Sequence, residues 1–98
     1  MKNIPPFKLV PHPLNDEAAS LPRCQWAPPE IGTRHRLGGN PNFIQRDDFP
    51  TCPDCGKPMT FYAQIDSVND EVCLADCGMI YVFVRFDCYK TVSFIQSK

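Results

Sequence analysis

Charge of one sign is what this sequence has least of. Ten basic and eleven acidic residues leave a formal net charge of −1, which argues against a dedicated nucleic-acid binder, since such proteins are normally basic. Long apolar runs are missing as well. Nothing approaches the roughly 18 consecutive apolar residues of a membrane helix. The start, Met1-Lys2-Asn3-Ile4-Pro5-Pro6, lacks the apolar centre of a signal peptide. A cytoplasmic protein with no membrane partner is the expectation. No stretch carries a 3.6-residue apolar period, so helices are not the main element. Gly38-Gly39 has neither Gly-x-Gly-x-x-Gly spacing nor a Walker lysine, which excludes a phosphate loop. Histidine is scarce, with two in the chain. His12 lies in a proline-rich stretch and His35 in a loop, so no thiolate-and-base pair stands out. Asp47-Asp48 and Asp70-Glu71 fall in turn-like segments, where acids are common for backbone reasons. No catalytic set emerges, and a non-enzymatic protein is expected.

Proline and cysteine are what the sequence has in excess. Seven of the eleven prolines precede residue 30, so residues 1–30 should form an extended arm. The remaining chain, residues 31–98, is then a single domain. Its size is one at which natural folds usually add a metal, disulfides or a partner. Six cysteines offer such a staple. In a reducing compartment they are better read as ligands or free thiols than as disulfides, although an even count keeps the disulfide reading open.

Within the arm, Phe7-Lys8-Leu9-Val10 has the pattern of an edge strand, and Asp16-Glu17-Ala18-Ala19 suffices for one helical turn. Trp26 is read as a plug holding the arm to the domain, and Cys24 beside it as a packing residue. Met59, Phe61, Ala63 and Ile65 alternate with Thr60, Tyr62 and Gln64, the pattern of a half-buried strand. Ser67 to Glu71 is polar and reads as a loop. Met79-Ile80-Tyr81-Val82-Phe83-Val84 has the composition of a central strand. With Thr91 to Ile95 it predicts a β-hairpin closed by about four residues. The fold class expected is mostly β, with a small helical component allowed. It would be a compact antiparallel sheet with a C-terminal hairpin, a zinc-knuckle-like turn and the extended proline-rich arm.

The strongest chemical signal is Cys52-Pro53-Asp54-Cys55-Gly56. A Cys-x-x-Cys turn aims two sulfurs at one point, and zinc requires four ligands in a tetrahedron. Cys73 and Cys77 provide one further pair. Cys88 stands in the hairpin turn, with Arg85 three residues before it. A redox pair is disfavoured, because Gly56, Pro58 and a strand follow where a helix N-terminus would lower the thiol pKa. Arg34-His35-Arg36 and Arg46 form the one dense basic patch, either a phosphate contact or a solvated loop.

The order of the pieces resembles a known family. His35-Arg36-Leu37-Gly38-Gly39-Asn40-Pro41 is followed by Phe43-Ile44-Gln45 and Phe49-Pro50. The knuckle comes next, then Met59-Thr60-Phe61 and Ala63-Gln64-Ile65-Asp66, and finally Asp76-Cys77-Gly78-Met79-Ile80-Tyr81-Val82-Phe83. From about Arg34 onward the chain resembles the YwqG-like family, itself similar to the programmed-cell-death-two proteins of eukaryotes. Longer relatives hold two such β units, and this chain resembles one. The resemblance implies a binding or escort protein rather than an enzyme, with a client, a ribosomal protein or a toxin as partner. A chaperone or an immunity role would fit, and so would a homodimer covering an exposed edge. It also implies structural zinc held by Cys52, Cys55 and Cys88. Arg85 then stands in place of a fourth cysteine, and Cys73 and Cys77 are rivals for that place. A zinc-ribbon-like nucleic-acid binder, led by Arg34, Arg36 and Arg46, is the alternative.

Overall fold

The computed structural model describes residues 2–22, 29–69 and 73–97; Trp26 and Cys24 lie outside them. The elements are β1 (Phe7–Lys8), α1 (Asp16–Ala19), β2 (Arg36–Leu37), β3 (Thr60–Asp66), β4 (Met79–Arg85) and β5 (Lys90–Gln96). The strands form one antiparallel sheet in the order β1-β2-β3-β4-β5. The mostly β expectation holds, including the C-terminal hairpin, whose strands are separated by residues 86–89. α1 is the single turn that the arm allows, capped by the Asn15 side chain on the Ala18 N–H.

The arm joins the sheet through β1, which pairs with β2. Sequence pattern misses β2, because two residues among turn-formers carry no periodicity. Gly38, just after β2, shows why the arm fits closely there. A Cβ at this position would lie 2.5 Å from the carbonyl oxygens of Ile4 and Pro5. Its positive φ of 67° also favours glycine.

The core is aromatic and lies on one face of the sheet. Met79, Tyr81 and Phe83 of β4 are fully buried, and Phe61, Met59 and Cys52 pack with them. The loop between β2 and β3 forms the covering layer. Phe43 sits 5.1 Å from the Tyr81 ring and Phe49 meets Phe83 edge-on. Removing a buried ring such as Phe83 costs roughly 3–5 kcal/mol in comparable cores.

One sequence expectation needs correction. The alternation over β3 breaks at Tyr62, where a bulge lets Phe61 pair with Phe83 and Ala63 with Val82. An extra residue on one strand reverses the side-chain phase beyond it. Gln64 and Asp66 therefore take the core side, opposite Tyr81 and Met79, and Ile65 is 38% exposed. Of the polar stretch after β3, residues 67–69 are irregular as expected, yet Ser67 and Asn69 are buried. The Ser67 hydroxyl donates to Gly78 O and accepts from Leu74 N–H.

Candidate metal centre

Two turns of the same construction meet at one end of the sheet. In the first, Gly56 N–H donates to Cys52 O at 2.8 Å, Cys55 precedes Gly56, and Gly56 has φ 71°. Cys52 N–H also donates to Lys57 O, which closes the loop into a small hairpin. In the second, Tyr89 N–H donates to Arg85 O at 2.7 Å, Cys88 precedes Tyr89, and Tyr89 has φ 59°. Each turn thus places a cysteine third after its first residue and a left-handed residue fourth. Glycine meets that demand freely in the first turn, and tyrosine meets it at a cost in the second.

The turns bring Cys52, Cys55 and Cys88 together, with their sulfurs all within 4.8 Å of one another. Cys52 is buried beneath the cluster, while Cys55 and Cys88 are exposed. Cys52 Sγ and Cys88 Sγ stand 3.6 Å apart, a contact between separate sulfurs rather than a disulfide of about 2.05 Å. This spacing suits thiolates converging on a single ion, because sulfurs bound to zinc at about 2.3 Å lie within 4 Å of one another. The Cys55 sulfur leads the influences holding the Arg85 guanidinium protonated more firmly than usual, with Asp87 adding to it. Arg85 Nη2 donates to Asp87 at 2.6 Å.

Cys73 and Cys77 are not in this group. They precede β4, whereas Cys88 follows it, and a seven-residue strand separates the two ends by about 20 Å. As rivals for a fourth ligand they are in the wrong place.

The other end of the sheet holds polar residues to which sequence reading assigns no role. Asp66 accepts from Gly32 N–H at 2.7 Å and from Arg34 N–H. It also takes the Arg34 guanidinium through Nε and Nη2. Burial alone would raise its carboxyl, but these hydrogen bonds outweigh it and hold the group below the usual carboxylate range. Two buried glutamines tie the covering loop to the sheet. Gln64 accepts from Asn42 N–H and donates to Arg34 O. Gln96 accepts from Ile44 and Gln45 N–H and donates to Arg46 O. Tyr81 donates its hydroxyl to Asn42 O, and burial lifts its phenol above the ordinary value. No sequence signal marks this network: Gln64 and Asp66 fall on the polar phase of a regular alternation, and only the bulge turns them inward.

The basic patch is drawn inward by the same network. Arg34 is paired with Asp66, His35 is buried with Nδ1 accepting from Asp66 N–H, and Arg36 binds the carbonyls of Gly38 and Asn40. Arg46 is exposed.

Comparison with known proteins supplies relatives but no activity. The chain is similar to the uncharacterized protein YpfL of Salmonella typhimurium (strain LT2), with 38% identity over 64 residues. That match covers 65% of this chain and 15% of the relative, so the chain spans a small part of that protein's length. No solved structure matches it. No helix among the described residues is long and apolar enough to cross a membrane. The domain of unknown function DUF1963, the YwqG-like family, matches residues 13–97. With nearly its whole length matched and the knuckle inside the match, the chain belongs to the DUF1963 family.

Proposed function

We propose that this chain is a non-enzymatic protein-binding module of the escort or immunity type, its sheet pinned by a structural zinc ion at Cys52, Cys55 and Cys88. The observation carrying the binding role is the face of the sheet opposite the aromatic core. Ile65 and Ile95 are 38% and 50% exposed there, beside the half-buried Ile80, Val82 and Val84. The same face ends at β5, a seven-residue edge strand with exposed Thr91 and Ser93. Open edges of this kind accept an added strand, with backbone hydrogen bonds for affinity and alternate side chains for specificity. A second copy of the chain would also fit, giving a homodimer through β5. An apolar groove of about 740 Å³ between the arm and the body, lined by Leu9, Val10, Leu14, Leu21 and Val68, adds a further contact surface.

The non-enzymatic reading is supported by where the buried ionisable groups point. Buried Asp66 takes the partly exposed Arg34 and loop N–H groups, and Tyr81 donates to the loop carbonyl of Asn42. The nucleic-acid alternative has less support, because Arg34 and Arg36 are engaged internally. The test is capture from host lysate and solution mass, on wild type and on Ile65→Lys/Ile95→Lys. Both substitutions fall on exposed positions, so the fold should survive. Loss of a captured protein, or of a dimeric mass, in the variant supports the proposal. Identical capture and mass in the two proteins would overturn it.

A further inference from the structure

The cysteine cluster has three sulfurs and two turns that could each supply two. The first turn presents ligands at its first and fourth positions, Cys52 and Cys55. The second presents Cys88 at its fourth position and has Arg85 at its first. Hydrogen-bond pattern and left-handed residue correspond between the turns, so Arg85 stands where a fourth thiolate would stand. An arginine does not ligate, since its guanidinium remains protonated and has no lone pair to offer. Among the described residues, no other histidine, cysteine or carboxylate joins the group. Of the two acids adjacent to these cysteines, Asp54 is exposed and paired with Lys90 at 3.3 Å, and Asp87 is paired with Arg85 at 2.6 Å.

Zinc sites closed by four protein ligands are structural, whereas sites with three keep a position for an outside ligand. Solvent reaches this cluster, because Cys55 and Cys88 are exposed. A four-cysteine site would have no vacancy, whereas the Arg85 guanidinium is paired with Asp87 at 2.6 Å and supplies no ligand atom. Arg85 also keeps a buried Nε–H with no hydrogen-bond partner, a donor suited to an anion bound beside it.

We propose that Arg85 occupies the post of a fourth thiolate, so that a metal held by Cys52, Cys55 and Cys88 keeps one coordination position for an external small thiol. This rests on the metal reading above, and the test separates the two. The full chain is loaded with cobalt(II), whose visible and thiolate-to-metal charge-transfer bands report the number of sulfurs bound, and is titrated with N-acetylcysteine. Wild type should show a three-thiolate spectrum whose charge-transfer intensity rises by about a third, the step from three sulfurs to four. Arg85→Cys should start at the higher intensity and ignore added thiol. If that variant fails to fold, the wild-type titration decides alone. A wild-type spectrum that does not respond to thiol overturns the open position. So does a four-thiolate spectrum that loses intensity in Cys24→Ser or on dilution, because the fourth donor is then Cys24 or a second copy. Cobalt binding to Arg85→Cys but not to wild type also overturns it. Absence of binding to either protein overturns the metal reading itself.

Discussion

Asp66 shows how one residue organises a loop. Its carboxylate gathers two backbone N–H groups and a two-pronged guanidinium, all from the segment between Gly32 and Arg34. Asp66→Asn leaves Arg34 without its counter-charge. The loss should be about 3 kcal/mol, the low end for a broken buried pair because Arg34 is partly exposed. The acid dependence follows from the lowered carboxyl of Asp66. Its stabilising effect is fully present above the unfolded-state value of about 3.9 and is lost as pH falls from there through the folded-state value. Urea midpoints measured from neutral pH downward should fall more steeply for wild type than for Asp66→Asn. Equal acid slopes would show that Asp66 does not carry the effect.

At the scale of the element, the bulge at Tyr62 decides which residues of β3 face the core. Simple alternation assigns Ile65 to the interior and Gln64 to the surface; the structure does the opposite. Ile65→Thr should therefore change stability by less than about 1 kcal/mol, as for other partly exposed positions. Gln64→Leu, though apolar, should cost about 1–3 kcal/mol, because the Asn42 N–H and Arg34 carbonyl lose their partner. Chemical denaturation of the two variants checks the order, and a larger loss for Ile65→Thr would refute the bulged register. Strands β4 and β5 were legible because both follow a continuous pattern of β-formers. β2 was not, since two residues take their conformation from neighbours on either side. The same holds for the candidate site. Cys52 and Cys55 announce themselves by spacing, while Cys88 needs the hairpin to bring it across 36 positions.

For the molecule as a whole, a metal at the sulfur cluster would clamp the covering loop to the far end of the hairpin. Cys52 belongs both to the cluster and to the aromatic core, so metal loss should loosen the layer that Phe43 and Phe49 form over Tyr81 and Phe83. In small domains of this kind, metal binding energy is folding energy. Protein purified without chelator should contain zinc near one equivalent per chain, and chelation should lower its melting temperature. Cys52→Ser should lower the melting temperature before any chelator is added and abolish the response to it. Elemental analysis finding no metal, or an equal chelator response in Cys52→Ser, would contradict this.

Composition and pattern alone determined a great deal here: a mostly β fold, a four-residue hairpin and a knuckle-like cysteine turn. Each of those rests on residues adjacent in the chain, where backbone preference acts directly. Only the tertiary structure decided the rest. It joined Cys88 to Cys52 and Cys55, removed Cys73 and Cys77 to the opposite end of β4, and drew Arg34 inward to Asp66. It also turned Gln64 and Asp66 into the core. These outcomes depend on strand register, and one bulged residue is enough to reverse a face. The near-neutral charge of the chain is thus partly an internal matter, because Arg34 of the basic patch meets Asp66 inside the fold.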